Sequence, residues 1–196
     1  TPRLELPRRR NPLPLVATAL LLLLLGATAV LLVARPWPPL HLQVATTAGT
    51  PEIQQADGSW QPLAAVSAEL GWGHTLRTGK EATAQVSDGR AWTGDLAGES
   101  RLALGFLGRL ALEQGRFAVH GLPEQAARLR LEVGEARVLL EGAGPFAVER
   151  TDDGLEVANQ AGKAEIQLDS GKIPVEPGRR VRYKRGEQPT YAPLAP

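Results

Sequence analysis

The stretch "LRTGKEATAQVSDGRAW", Leu76 to Trp92, carries the reading of the fold. Ala82, Ala84 and Val86 fall on one side of an extended chain and Thr83, Gln85 and Ser87 on the other, the alternation of a strand with one buried face. Asp88-Gly89 behind it is the strongest short hairpin signal, because a type I′ turn needs positive φ at both central residues. A two-residue loop pairs Val86 with Ala91 on the inner face and leaves Trp92 beside Gln85 on the outer one. A tryptophan placed there calls for a second layer to cover it, or for a bulge that shifts the register.

The same grammar runs through the rest of the chain. Beyond His41 no stretch has a helical period; instead short runs such as "HLQVATT", "PEIQQ", "SRLALG", "GRLALEQ", "RFAVHG", "ARLRLEVG", "ARVLLEG", "PFAVER", "LEVANQ", "KAEIQLD" and "RRVRYKR" alternate or are rich in Val, Leu and Ala. Between them lie the turn signals "ADGS", "DGR", "TDDG", "DSGK" and "EPGR". Short strands with turns at such intervals predict a mainly β domain, an antiparallel β-sandwich or jelly-roll-like arrangement. No internal repeat of fixed length emerges, although regular glycine turns leave a coiled β architecture open. Val86, Leu102, Leu104, Leu110, Leu112, Phe117, Val119, Phe146 and Val148 are the expected core.

The 196 residues are 43% hydrophobic and 22% charged, ordinary for a folded chain. There is no cysteine, which excludes disulfides, thiolate catalysis and Cys-type zinc sites. There is no methionine either, so a chain opening Thr1-Pro2 reads as processed or as a segment of a longer protein. Leu13 to Ala34, "LPLVATALLLLLLGATAVLLVA", is 22 residues without a charge. As a helix it measures about 33 Å against a hydrocarbon core of about 30 Å, so it is read as a membrane span. Arg3, Arg8, Arg9 and Arg10 precede it and Arg35 alone follows closely, which places residues 1–12 in the cytoplasm and the chain after the span outside. A cleaved signal peptide competes, but the apolar run exceeds the usual length and Arg35-Pro36 follow the one plausible small residue. Residues 35–43 form a proline-rich spacer, 44–186 the β domain and 187–196 a C-terminal tail. After Arg35 the chain carries 17 basic and 20 acidic groups, a balance that argues against nucleic acid as a partner.

Chemistry-bearing residues are sparse. His41, His74 and His120 have no spacing that sets two ligands on one face, whereas a zinc site needs three or four convergent ligands. Ser59, Ser67, Ser87, Ser100 and Ser170 show no nucleophile elbow. "GWGHTLRTG", Gly71 to Gly79, lacks the glycine spacing of a phosphate loop and a helix for the phosphate to cap. Asp152-Asp153-Gly154 is explained by a β-turn rather than by calcium. No catalytic set, metal or cofactor is implied, and the expectation is a non-enzymatic binding protein. One cluster stands apart: in "GRRVRYKRG", Arg180, Arg182 and Lys184 share one strand face and Val181 and Tyr183 the other, with Arg179 and Arg185 at the ends. Two accounts stay open for it, an edge strand blunted by charge, and a docking stripe for an acidic protein or lipid head groups.

The outer region resembles a FecR domain, the extracytoplasmic sensor module of membrane-bound sigma-factor regulators. The matching pieces run in the family's order: "AGTPEIQQADGSWQPL", "GWGHTLRTGKEATAQVSDGRAW", "GESRLALGFLGRLALEQGRFAV", "GAGPFAVERTDDGLEVANQAGKAEI" and "VEPGRRVRYKRG", over roughly Val44 to Gly186. The L-x-TG…A-x-V-x-x-DG block from Leu76 to Gly89 is the most specific. The resemblance implies a bitopic protein of the bacterial inner membrane with a periplasmic β domain. It further implies a cytoplasmic region that binds an extracytoplasmic-function sigma factor, and a periplasmic partner such as an outer-membrane transducer. Twelve residues before Leu13 are too few for that sigma-binding region, and the small α/β module that often follows a FecR domain has no counterpart. Where some members cleave themselves at a Gly-Thr bond, this chain has Gly144-Pro145, which offers no hydroxyl. The rival reading is an envelope scaffold that binds glycan or protein without a tie to transcription.

Overall fold

A computed structural model describes residues 42–55, 57–63, 67–105, 108–121 and 128–194. Contacts divide the chain into Thr1–Pro39 and Leu40–Pro196, and the described residues belong to the second unit. The segment 1–12, the apolar run 13–34 and positions 35–41 of the spacer lie outside the described residues.

The chain opens with β1 (Leu42–Ala48), β2 (Glu52–Gln54), β3 (Trp60–Pro62), β4 (Ser67–Leu70) and β5 (His74–Arg77). Next come β6 (Thr83–Ser87), β7 (Trp92–Leu96), β8 (Arg101–Leu104) and the long β9 (Leu110–Gly121). Then follow β10 (Arg128–Val133), β11 (Ala136–Glu141), β12 (Phe146–Thr151) and β13 (Gly154–Asn159). The last are β14 (Lys163–Leu168), β15 (Gly171–Val175), β16 (Arg179–Lys184) and β17 (Thr190–Pro193). Among the described residues these 17 strands form one hydrogen-bonded, mainly antiparallel system.

That system has two halves. One runs β4-β1-β6-β7-β9-β12-β13-β16-β17. The other runs β3-β2-β5-β8-β9-β10-β11-β14-β15. The strand common to both is β9, whose first residues pair with β8 and β10 and whose last pair with β7 and β12. Each half turns its alternate apolar residues toward a single buried cluster. All nine expected core positions lie in that cluster. The expectation of antiparallel pairing throughout is corrected at one place: β9 and β10 run parallel, Leu110 opposite Leu131. Parallel neighbours need a crossover, which the passage of β9 through the other half supplies.

The bend in β9 has a local cause. Arg101 faces Gln114 while Leu102 faces Leu112, so Glu113 is an extra residue in the ladder. The buried positions change from even (Leu110, Leu112) to odd (Phe117, Val119) across it. Gly115 follows at φ +80, and a Cβ there would lie 2.2 Å from Ser100 Oγ. Bulges at such corners let one strand serve two layers. This is why "GRLALEQ" and "RFAVHG", read as two strands, are one. Buried Thr78 and Ser100 hold the corner.

The hairpin after Val86 also differs from expectation. Val86 faces Gly94 and Ser87 faces Thr93, so the loop is longer than two residues. Asp88 Oδ1 accepts the amide protons of Arg90, Ala91 and Trp92, closing that loop in place of a type I′ turn. The shift carries Trp92 inward to 3% exposure, edge-on to Phe117 with ring centroids 6.1 Å apart. Strands β3, β4, β5, β15 and β17 escape the sequence pattern because they are short and bury at most one residue each. Two of these facts bear on the boundaries: Leu42 and Gln43 of the spacer begin β1, and β17 forms within the segment read as a tail. Prolines sit on three strands that pair on one side alone among the described residues, Pro62 on β3, Pro174 on β15 and Pro193 on β17, where a missing donor does not break a ladder.

Candidate functional site

The basic stripe is the one sequence-singled cluster that the fold assembles into a surface. Val181 is fully buried and Tyr183 packs against the core, so Arg180, Arg182 and Lys184 stand on the outer face. The edge-strand account is corrected: β16 is hydrogen-bonded on both sides, to β13 and to β17. Its charge therefore does not blunt a free edge.

The register sets Arg182 opposite Glu156 of β13. Arg180 Nη1 donates to Glu156 Oε1 at 3.1 Å, and Arg182 Nη2 and Nε donate to Oε2 at 3.0 and 3.2 Å. One carboxylate thus serves two guanidiniums, and it is the least exposed member of the set at 14%. Lys184 Nζ donates to Asp153 Oδ2 at 3.0 Å from the β12–β13 turn, which holds its ammonium pKa above the ordinary lysine value. Arg185 pairs at 3.0 Å with Glu135, in the β10–β11 turn of the other half. Arg179 makes no ion pair among the described residues, and borders a cavity of about 350 Å³ with Pro174, Glu176 and the exposed Tyr191. Solvent-exposed pairs of this kind contribute only about 0–1 kcal/mol each.

Between β16 and β17 the outer surface forms a groove of about 400 Å³. It is lined by Glu156 of β13, by Arg180, Arg182 and Lys184 of β16, by Glu187 and Gln188 of the following loop, and by Thr190 and Ala192 of β17. The composition suits a charged, hydrogen-bonding ligand.

The remaining flagged residues are separated or structural. His74, at the start of β5, accepts at Nδ1 a long hydrogen bond from the amide of Gly71 in the turn before it, and His120 Nε2 lies 3.5 Å from Asp95 Oδ2 in the other half. His41 is outside the described residues. Among the described residues no three His, Asp or Glu side chains converge as metal ligands. "GWGHTLRTG" forms a turn and β5, Asp153 serves Lys184, and Ser100 belongs to the β9 corner. Sequence reading missed Glu156, Asp153 and Glu135 as partners of the stripe; their own strands and turns carry no signal for it.

No protein-family model matches the chain, and no curated protein matches it. Among the crystal structures that resemble it are two of candidate anti-sigma factors from Parabacteroides distasonis ATCC 8503. The first, at 1.65 Å resolution, shares 13% identity with a TM-score of 0.52, over 61% of this chain and 59% of that one. The second, at 2.50 Å, shares 12% with a TM-score of 0.41, over 76% of this chain and 60% of that one. The chain therefore spans about three fifths of each. The first likeness is one of fold; the second is too loose to add to it.

Proposed function

We propose that this chain is the anchor and extracytoplasmic sensor of a regulator of an extracytoplasmic-function sigma factor, with a two-layer, FecR-type β-sandwich in the periplasm of a bacterium. The supporting observation is the likeness of the β fold to a candidate anti-sigma factor, in a chain whose motif blocks run in FecR order behind an apolar run flanked by arginines. The apolar run spans the inner membrane, the N-terminus stays in the cytoplasm, and the domain acts by binding and not by catalysis. Engagement of a periplasmic protein changes the state of the anchor, by no more than that partner's differential affinity for the two states.

Three measurements test this. Alkaline phosphatase fused after Pro36 or after Gly186 should be active, and fused before Leu13 inactive. Deleting the gene in its native host should change transcription from promoters of one alternative sigma factor, and the tagged natural protein should retain that factor on purification. Correct topology with unchanged transcription and no retained sigma factor would leave an envelope scaffold instead.

A further inference from the structure

We propose that the groove between β16 and β17 receives an extended acidic segment of a partner protein, with carboxylates at alternate residues. The proposal rests on the sensor reading above only in taking the ligand to be a protein.

The step of the cations selects the occupant. Arg180, Arg182 and Lys184 alternate along one strand, so they recur at roughly 6.8 Å, twice the rise per residue. An extended peptide repeats its side chains on one face with the same step, so acids at i, i+2 and i+4 fall opposite successive cations. Head groups in a fluid leaflet have no fixed step, and a planar bilayer does not enter a groove.

Charge and donors agree. The groove lining sets three cations, Arg180, Arg182 and Lys184, against the carboxylates of Glu156 and Glu187, one positive charge in excess, while Asp153 holds Lys184 from the turn outside the lining. Arg180 spends a single N–H on it and Arg182 two, of the five that each guanidinium carries. The arginine side chains are 42% and 57% exposed and Asp153 is 67% exposed, so the resident pairs are readily exchanged for a partner's carboxylates. Beside the stripe, Gln188 and Thr190 supply the amide and hydroxyl groups that a peptide backbone needs. Pro193 on the outer strand disfavours pairing at that edge, so recognition falls to the side chains in the groove.

The test measures binding of fluorescent peptides to the purified full chain. One probe alternates Glu and Thr; the other has the same composition with its glutamates in one block. The alternating peptide should bind at least tenfold more tightly, and weaken as salt is raised from about 50 to about 300 mM. Arg182→Glu with Lys184→Glu should abolish that preference. Glu156→Gln, which removes the resident competitor, should tighten the alternating peptide severalfold, a direction that a purely structural stripe would not give. Equal binding of the two probes overturns the proposal, as does a Glu156→Gln variant that binds more weakly. So does displacement of the alternating peptide by glycerol phosphate at comparable concentration, which would give the groove to a lipid head group. These readouts need no sigma factor, so their failure leaves the transcriptional test of the sensor reading intact.

Discussion

Thr78 Oγ1 accepts the amide proton of Ser100 at 3.0 Å and donates its own to the carbonyl of Ala97 at 2.6 Å. Ser100 Oγ in turn accepts the amide proton of Arg116, one residue past the glycine at which β9 changes halves. The Thr-Gly pair in the most specific motif of the chain is thus a clamp on the corner of the fold. Thr78→Val keeps the volume but strands the buried Ser100 amide and Ala97 carbonyl. It should cost about 1–3 kcal/mol, and Thr78→Ser much less. Urea unfolding followed by tryptophan fluorescence measures both; a valine variant as stable as the parent would remove the clamp.

Gly94 makes room for a ring. A Cβ at this position would lie 2.2 Å from Phe117 Cζ, beneath the edge-on contact with Trp92. Gly94→Ala should destabilise the domain by about 1–3 kcal/mol through overpacking. Combining it with Phe117→Leu should recover part of that loss, because the two changes share one space. Simple additivity of the two in the same unfolding assay would show that the ring does not need the glycine.

Alternation explains what was legible in the sequence. Leu102 and Leu104, or Phe146 and Val148, announce a buried face because a strand has period two, and the same rule separated Arg180, Arg182 and Lys184 from Val181 and Tyr183. Register was not legible at Asp88, where a side-chain oxygen took over the turn and moved Trp92 from the outer face to the core. Nor was strand adjacency: Glu156 lies 26 residues before Arg182, and only the β13–β16 pairing brings them together. Strands such as β3 and β17 hold their form through their neighbours and not through their own pattern, so residues 190–193 read as tail.

Proline at a sheet edge points its nitrogen to solvent and offers no donor to an incoming strand. Pro174 does this on β15, one of the two edges at the C-terminal end of the ladder. Pro174→Thr should leave the fold in place and raise the tendency to associate through that edge. Light scattering and size-exclusion chromatography across a concentration series report it. A variant that stays as dispersed as the parent would mean that Pro174 does not guard the edge.

Lys184 gives the stripe an alkaline signature. The hydrogen bond that Lys184 donates to Asp153, and then the charge of that carboxylate, raise the ammonium pKa in the folded chain. A group raised on folding contributes stability that is complete below its unfolded pKa, near about 10.4 for lysine, and is lost as pH climbs through the folded value. The difference in unfolding midpoint between the parent and Asp153→Asn should therefore be constant between about pH 6 and about pH 9 and shrink above it. Glu165 behaves in the opposite sense. Gln167 and then Lys172 lower its pKa, so their contribution is present above the ordinary glutamate value and fades as pH falls through the native one. Side-chain NMR titration of Lys184 decides the first case directly: its pKa should exceed that of an unpaired lysine and fall in Asp153→Asn. An unchanged titration would show that the two groups are not held together in solution.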